Sequence, residues 1–469
     1  MAALAELNSR YTAKFGSGTP STKFVPWFNH VNTTFNASPV VATSMMIWDI
    51  PEGGLKLVTA GTYRLGKSFA FKGETAITIE GNDIILDLSG HCLNMCGTGV
   101  GIRVKDSIGV TVRNGTVKCG KLHGIFIEDS AVVTVTDVKV CKLQNSDSSL
   151  TPAAILANVC TDVTVENVTV CNNRACGTSM FGVLFTVVIG CAVKSSHFCC
   201  QHNHDGATAA VGHILCDAIE VSDVHVREYS SGFGVNFDAE GHTCIGILPV
   251  YTTNILIEDC AIRDIAGSCD DAHGISVFLC EDALVQNCKV NGVTTGKIGK
   301  TSAKTTGIEI YATNAEVTDC CVHNITATNP GDRQCTGFST AKSDNVLFDS
   351  CRASCVTVFD VRGNINKKAA GRGMGFGWAP DPRATFAEPS TNVTYQDCTA
   401  VNCQVGFDTW YHIDSTWTNI KCCNTDQKVL ICPNGKRTLT CNRCSECPGG
   451  MVTTLTNVAT GNSVEPCQC

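Results

Sequence analysis

Apolar and polar residues alternate in a short pattern that returns along most of the chain. The segment VTVRNGTV, at 110–117, has apolar residues at its first and third positions, Asn at the fifth and a small residue at the sixth. Alternation with a period of two is typical of a β-strand with one buried face. Eleven copies begin at Val110, Val133, Val163, Thr186, Ile219, Ile255, Ala283, Ala315, Val346, Val393 and Ser415.

A second landmark, Gly or Ala, precedes each copy by nine residues, or by eight in the case of Gly307. We interpret each repeat as a coil of three short strands: the Gly segment, the first half of the motif and its second half. The fifth position is Asn or Asp in nine of the eleven copies. These residues tolerate the left-handed backbone region, so they predict a tight bend there. The landmarks are Gly101, Gly124, Ala154, Gly177, Ala210, Gly246, Gly274, Gly307, Gly337, Ala384 and Gly406.

A single coil cannot bury its apolar face, so successive coils must stack with their strands in parallel. The pattern resembles that of right-handed parallel β-helix proteins of the pectin-lyase-like class, over about residues 76–425. The resemblance implies an all-β solenoid of about eleven or twelve coils. It implies less about activity, because this architecture serves lyases, hydrolases, epimerases, viral adhesins and passive scaffolds.

The chain divides into three predicted parts. Residues 1–75 form an N-terminal cap with a short helix at 1–15 and an irregular lead-in, residues 76–430 form the β-helix, and residues 431–469 form a cysteine-rich C-terminal cap. The formal net charge of −8 argues against a general nucleic-acid binder. No segment approaches the roughly 20 apolar residues of a membrane span, so we expect no membrane insertion.

The 31 cysteines are an odd number, and many of them follow the repeat. Those at the sixth motif position replace Val, and we interpret them as small buried hydrophobes; oxidation between neighbouring rungs is the alternative. The ladder comprises Cys191, Cys260, Cys288, Cys320, Cys351 and Cys398. Better disulfide candidates are Cys199 with Cys200, Cys171 with Cys176 and Cys351 with Cys355.

Six more cysteines crowd the C-terminal segment between Cys432 and Cys469. Their spacing lacks the paired ligands of a zinc site, so a disulfide-knotted cap is favoured over a metal site. Disulfides persist in oxidising surroundings, which favours an extracellular or virion-surface location. The N-terminus lacks the pattern of a secretory signal, and this argues the other way.

Three consecutive corner loops combine histidine with carboxylates. Stacking brings such loops together, and paired carboxylates beside a histidine can do acid–base work on a glycosidic bond or a uronate. Polar loops with no ligand role are the alternative. The loops are HNHD, with His202, His204 and Asp205; DAEGH, with Asp238, Glu240 and His242; and CDDAHG, with Asp270, Asp271 and His273.

The candidate catalytic residues are Asp238, Asp270, Asp271 and His273. The candidate substrate-binding residues are His202, His204, Asp205, Glu240, His242, Tyr229 and Trp378, the last two for stacking on sugars. The fragment CDDAHGIS resembles segments of polygalacturonases, which carry a paired aspartate and a His-Gly on separate coils. Here both lie in one loop, and that family's Asn-Thr-Asp and Arg-Ile-Lys elements do not stand at the expected positions.

Two classes of function stay open. The favoured one is a non-catalytic or weakly catalytic rod that displays a carbohydrate-binding or assembly surface, such as a virion or cell-surface component. The alternative is a polysaccharide-active enzyme, a glycoside hydrolase, lyase or uronate epimerase, that uses the corner-loop carboxylates. Either class has a polysaccharide or glycan as partner, and a homo-oligomer such as a trimer, or assembly into a larger particle, is compatible with both. We expect no cofactor and no metal.

Overall fold

The computed structural model is all β, with no helix in the residues that it describes. Those residues are 43–97, 99–145, 147, 151–176, 179–204, 206–231, 243–267, 271–295, 304–328, 334–340, 342–359, 373–377, 390–408, 412–413, 415–425, 427–430, 453–456 and 459–461.

Short strands follow one another throughout the described chain. The N-terminal strands are β1 (Thr43–Ile47), β2 (Leu55–Leu57), β3 (Gly61–Leu65), β4 (Phe69–Ala70), β5 (Thr75–Ile79), β6 (Ile84–Asp87), β7 (Cys92–Asn94), β8 (Val100–Lys105), β9 (Ile108–Lys118), β10 (His123–Glu128), β11 (Ala131–Cys141), β12 (Gln144–Asn145) and β13 (Ala153–Glu166). The central strands are β14 (Thr169–Ala175), β15 (Ser179–Lys194), β16 (His197–Asn203), β17 (Ala207–Ile214), β18 (Asp217–Ser222), β19 (His225–Ser231), β20 (Cys244–Val250), β21 (Thr253–Glu258), β22 (Ala261–Gly267), β23 (Ala272–Gln286), β24 (Lys289–Thr295), β25 (Lys304–Thr318) and β26 (Cys321–Thr328). The C-terminal strands are β27 (Gln334–Thr340), β28 (Asp344–Asp349), β29 (Arg352–Phe359), β30 (Gly373–Gly377), β31 (Ser390–Gln396), β32 (Thr399–Val401), β33 (Val405–Asp408), β34 (His412–Ile413), β35 (Ser415–Thr418), β36 (Lys421–Cys423), β37 (Gln427–Leu430), β38 (Thr453–Thr456) and β39 (Ala459–Gly461).

The strands form three parallel stacks, and each coil contributes one rung to each stack. The first stack holds the Gly segments, the second holds the first half of the motif, and the third holds its second half. Long strands such as β23 and β25 turn a corner and serve two stacks. The coils wind in the right-handed sense that parallel crossovers almost always take. The expected right-handed parallel β-helix is therefore confirmed.

The corners of the coil lie where the sequence predicts bends. The fifth motif residue has a positive φ in the described coils, for example 50° at Asn167 and 58° at Asn114. Side chains link these bends from coil to coil: Asn114 Nδ2 donates to Asp87 Oδ1 at 3.2 Å. In the same way Asn287 Nδ2 donates to Asp259 Oδ1. The predicted tight bends at the fifth motif position are confirmed.

The fourth copy of the motif was misplaced. Val163 pairs with Cys191 and Val165 with Val193, so this rung begins at Cys191, five residues after Thr186. The intervening residue Val187 has φ 56° and lies at a corner. The apolar run of β15 offered two placements, and only the later one keeps every rung in register. The landmark glycine of this coil is consequently Gly182.

The landmark Ala384 was also wrong. Met374 lies between Thr336 and Val405 in the first stack, and Phe376 between Phe338 and Phe407. The landmark of that coil is therefore Gly375, whose added Cβ would lie 2.7 Å from the carbonyl oxygen of Gly406. A long insertion separates Gly375 from the next strand of its coil, and the nine-residue spacing does not hold there.

The stacks extend beyond the coils that the motif predicts. Strands β1 and β3 precede β6 in the second stack, where the sequence indicated an irregular lead-in. At the other end β38 pairs with β35, and β39 with β36, inside the segment expected to form the C-terminal cap. The expected helix at 1–15 and the cysteines from Cys432 to Cys469 lie outside the described residues.

The core fills the space between the three stacks with Ile, Val, Leu, Phe and Cys side chains. Five consecutive coils carry a buried cysteine at the sixth motif position, and each thiol lies within 3.7 Å of a backbone carbonyl of the preceding coil. Cys191 is also buried, but it pairs with Val163 and Ile219 and is not part of this ladder. The five are Cys260, Cys288, Cys320, Cys351 and Cys398.

The cysteines in the described part of the chain are free thiols. The three predicted disulfide pairs are therefore wrong: Cys199 with Cys200, Cys171 with Cys176 and Cys351 with Cys355. The argument for an oxidising location now depends on the C-terminal cysteines alone.

Candidate functional site

The candidate site lies on the outer face of the first stack, beside the corner where the longest loops enter. Ile275 and Ile308 are fully buried in the core. Because successive side chains of a strand point to opposite faces, the next residues, Ser276 and Glu309, point outward. They occupy neighbouring rungs, paired in register across β23 and β25.

Four ionisable side chains meet at this place, and we call them the charged quartet: Asp271, His273, Lys304 and Glu309. His273 Nδ1 lies 3.4 Å from Glu309 Oε2, and His273 Nε2 lies 3.9 Å from Asp271 Oδ2. Lys304 Nζ lies 3.5 Å from Glu309 Oε1. The imidazole therefore lies between two carboxylates, and one of these also has an ammonium partner.

Neighbouring groups hold the quartet in position. The backbone N–H of Lys304 donates to Asp271 Oδ1 at 2.6 Å, and the hydroxyl of Ser276 donates to Glu309 Oε2 at 3.1 Å. Register explains the arrangement, because His273 pairs with Thr306 at the start of the two strands. The side chains of His273 and Glu309 are 4% and 7% exposed, whereas those of Asp271 and Lys304 are 37% and 30% exposed. Asp271 and Lys304 are thus the members of the quartet that reach solvent.

The electrostatics favour the charged forms of His273, Asp271 and Glu309. Burial alone would lower the pKa of His273, but the carboxylates of Glu309 and Asp271 outweigh it and raise that pKa above 6.5. Burial would raise the pKa of Asp271, yet contact with His273 and the charge of Lys304 lower it below its ordinary value. Burial opposes the ionised form of Glu309 too, and Lys304 and His273 lower its pKa. The quartet is a balanced set of two cations and two anions.

His202 and His204 lie elsewhere, in a groove of about 740 Å³ beside the third stack. His202 Nδ1 contacts the hydroxyl of Ser230 on the next coil. Burial, followed by the charge of Arg174, lowers the pKa of His202. The lowered pKa favours the neutral form of His202, whereas the raised pKa of His273 favours its charged form. The structure does not bring His202 or His204 onto the strand stack that carries the quartet.

Tyr229 was predicted to stack on sugars, and this prediction is wrong. Its side chain is fully buried in the core. Burial raises the pKa of its hydroxyl well above the ordinary value. Tyr229 pairs in register with Gln201 and Ile265, so it points inward where the sequence placed it in a loop. The other candidates, Asp205, Asp238, Glu240, His242, Asp270 and Trp378, lie outside the described residues.

The sequence contained a signal for the two quartet members that the prediction missed. Lys304 stands three residues before Gly307, as Asp271 stands three before Gly274. Glu309 stands two residues after Gly307, as Ser276 stands two after Gly274. Alignment of the coils on their glycines places all four around one point. The CDDAHG segment taken alone gives no indication of Lys304 and Glu309, which belong to the next coil.

Within the described residues, no group of three or more His, Cys, Asp or Glu side chains could hold a metal ion. No helix in the described part of the chain is both long enough and apolar enough to cross a membrane.

The comparisons with known proteins concern the architecture. No protein-family model matches the chain, and no curated protein matches it. Solved structures do match. The chain's own strand pairing makes the fold a parallel β-helix. One similar structure is a PL6 alginate lyase in complex with a trisaccharide, with 9% identity, coverage of 95% of each chain and a TM-score of 0.36.

Two further structures have the same general likeness. The A-module of an Azotobacter vinelandii mannuronan C-5 epimerase is 11% identical, with 95% of this chain and 96% of that chain covered and a TM-score of 0.30. A tailspike protein of an E. coli bacteriophage, in complex with a pentasaccharide, is 11% identical, with 86% and 74% covered and a TM-score of 0.39. At these values no activity follows from the likeness.

Proposed function

We propose that this protein binds a glycan along the outer face of its first strand stack, with the charged quartet as the polar centre of the site. The observation that supports this most is the position of the quartet. Four ionisable side chains meet on the outward side of the sheet, and two of them are almost fully buried.

A purely structural coil has no need of such a cluster. Taking charges out of water costs several kcal/mol per ion, and pairing seldom repays more than that cost. Other coils avoid this desolvation cost with an uncharged side chain. Leu184 and Leu248 occupy the outward position that Glu309 has in its coil. A buried ionic cluster in a place where leucine suffices favours a role in recognition or chemistry.

The two layers of the quartet would have different tasks. Asp271 and Lys304 reach solvent and present an acceptor and a donor to the hydroxyl groups of a sugar. Glu309 and His273 lie beneath them and keep both charges in place, so little ordering remains to be done when the ligand binds. Hydrogen bonds to charged groups contribute about 1.5–3 kcal/mol each, which is enough to orient a sugar ring.

Binding of neutral and acidic oligosaccharides on a glycan array tests this proposal. The matched variants are Asp271→Asn, which removes the solvent-facing charge, and Glu316→Gln, which removes an exposed carboxylate from another part of β25. We expect Asp271→Asn to weaken binding at least tenfold and Glu316→Gln to leave it unchanged. Equal binding by both variants and the wild type would contradict the proposed site.

A second candidate function is cleavage of the bound glycan, and the position of the Asp271 carboxylate 3.9 Å from the imidazole of His273 favours it. A protonated imidazole can give its proton to a leaving oxygen, and a carboxylate can orient the attacking water or remove a proton. An inverting hydrolase also needs a second carboxyl group about 6.5–9.5 Å from the first. Asp238 and Asp270 stay the predicted candidates for that partner, and the favoured function does not require them.

The location and the assembly of the rod stay proposals of the same kind. A glycan-binding β-helix of this type suits an extracellular or virion surface. A trimer or larger particle is compatible with a rod whose binding face lies along one side. Light scattering of the purified protein would give the mass of the assembly, and a monomer would refute the trimer.

A further inference from the structure

Two aromatic side chains, Phe278 and Tyr311, lie together on the same outer face, and Tyr251 stands at the corner of the preceding coil. We call these three residues the aromatic ledge. Tyr251 and Phe278 are 37% and 38% exposed, and Tyr311 is half-buried. Phe278 and Tyr311 form an edge-to-face pair with ring centroids 5.0 Å apart. They pair in register on β23 and β25, and Tyr251 follows Val250, which pairs with Phe278. Phe278 and Tyr311 therefore form one aromatic pair on two neighbouring coils, and the coil before them adds an exposed aromatic residue at its corner.

The ledge adjoins the charged quartet along the strands. Phe278 stands two residues after Ser276, and Tyr311 stands two residues after Glu309. Residues two apart on a strand share a face and are separated by roughly 6.6 Å. The ledge is consequently about one sugar ring away from the polar centre, on the same surface. Isolated exposed aromatics need no explanation, but an aromatic pair beside a charged cluster, with a third aromatic residue at the next corner, is a feature of binding sites.

The charges on this face indicate whether a neutral or an acidic glycan fits it. The quartet has two cations and two anions, and its Lys304 is already paired with Glu309. In the described coils next to the ledge, the outward positions on the first stack hold Leu248, Val250, Ser276 and Ser339, all of them uncharged. A polyuronate carries a carboxylate on every residue and requires a row of unpaired cations to match it. The described face has no such row.

We infer that the aromatic ledge is a stacking subsite for the sugar rings of a neutral glycan, next to the charged quartet. This inference depends on the proposed glycan binding and specifies its ligand class. Aromatic side chains supply a large apolar surface at low entropic cost, and the apolar face of a pyranose ring packs against such a surface. The quartet then holds the hydroxyl groups of a neighbouring ring.

The test compares soluble oligosaccharides of equal length: cellohexaose, mannohexaose and maltohexaose as neutral probes, and hexamers of alginate and polygalacturonate as acidic ones. Full-length protein is titrated calorimetrically with each probe. The variants are Phe278→Ala and Tyr251→Ala, both at exposed positions, and the control is Val58→Ala, an exposed residue 56% accessible on a distant coil. We expect a neutral probe to bind best. Phe278→Ala should weaken its binding about tenfold and Val58→Ala should not change it.

The other outcomes are also informative. Tighter binding of the acidic hexamers, or neutral binding that Phe278→Ala leaves intact while Asp271→Asn abolishes it, would overturn the ledge and leave the proposed function standing. Failure of the wild type to bind any of the probes would overturn both. A change in oligomeric state on Phe278→Ala, measured by light scattering, with glycan binding unaltered, would make the ledge a contact between copies and would also overturn the inference.

Discussion

Nδ1 of His273 lies 3.4 Å from Oε2 of Glu309, on the outer side of the sheet and yet buried. The two residues belong to different coils and are 36 positions apart in the sequence, since β23 carries one and β25 the other. A single coil therefore cannot build this site. Its integrity depends on the register between two neighbouring rungs.

Replacement of Glu309 by Gln should destabilise the protein. The variant keeps the shape of the side chain but leaves the charges of Lys304 and His273 without their buried partner. Breaking a buried ion pair on one side costs about 3–5 kcal/mol. Urea denaturation gives the free energy of unfolding, with Glu316→Gln as the exposed control, for which we expect a change within about 0.5 kcal/mol. A loss as small as that of the control would refute the stabilising role of the pair.

Stability should depend on pH through the quartet. It should fall at alkaline pH because of His273 and at acidic pH because of Asp271 and Glu309. The pKa of His273 is raised above 6.5, so its contribution is complete below about pH 6.5 and is lost as the pH rises through the folded-state value. The pKa values of Asp271 and Glu309 are lowered from 3.8 and 4.5, so their contributions are present above those values and are lost as the pH falls. Thermal unfolding across this range should show a maximum between the two limits. His273→Gln should remove the alkaline decline selectively, and a persistent decline would exclude His273 as its source.

Asp271→Asn distinguishes a binding protein from an enzyme. If the protein cleaves its glycan, the loss of the carboxylate should lower turnover by about 10²–10⁴-fold, the usual contribution of a general acid or base. Reducing ends and the ultraviolet absorbance of unsaturated uronates report hydrolysis and elimination respectively. Absence of both products with the wild type and with the variant, together with retained glycan binding by the wild type, supports the non-catalytic rod.

Gly274→Ala should destabilise the two coils that carry the charged quartet. An added Cβ would lie 2.6 Å from the carbonyl oxygen of Gly307, closer than the next coil allows. We expect a loss of about 1–3 kcal/mol in the free energy of unfolding, the usual cost of overpacking. Alanine already occupies the equivalent position at Ala154 and Ala210, so Ala210→Gly is the natural control. An unchanged stability for Gly274→Ala would mean that the coils can move apart there.

The cysteine ladder should tolerate loss of its thiols one at a time. Cys351 is 1% exposed, and its Sγ lies 3.3 Å from the carbonyl oxygen of Val317. Valine is of similar volume and already occupies this position in β11 and β14 coils, at Val138 and Val168. Cys351→Val should therefore cost less than about 1.5 kcal/mol. A larger loss, measured by chemical denaturation, would show that the thiol–carbonyl contact matters more than the packing.

The sequence predicted the coils well because strand alternation and bend chemistry are local. Val110, Val133 and Val163 pair with one another as expected, and Asn114 occupies a left-handed bend. Placement failed at Thr186 because a long apolar run satisfies the period of two in more than one position. Tyr229 was assigned to a loop because the third strand extends further than the motif indicates.

The site was predictable only in part, for a physical reason. Asp271 and His273 could be identified from the sequence because they stand two residues apart in the CDDAHG segment. The structure places both in the quartet. Lys304 and Glu309 become neighbours of these residues only through the pairing of two coils. His202 and His204 looked equivalent to them in composition. They lie on another stack because the corner separates the end of one strand from the start of the next.

The five buried cysteines of the ladder can also report the order in which the coils unfold. Each coil contacts only its neighbours, so a solenoid can unravel from its ends or break in the middle. Five chemically identical reporters stand on consecutive coils, each shielded by the carbonyl of the coil before it. The order in which they become reactive is the order in which the coils separate. Reaction of Cys398 well before Cys288 corresponds to peeling from the C-terminal end, whereas simultaneous reaction of all five corresponds to a single cooperative unit.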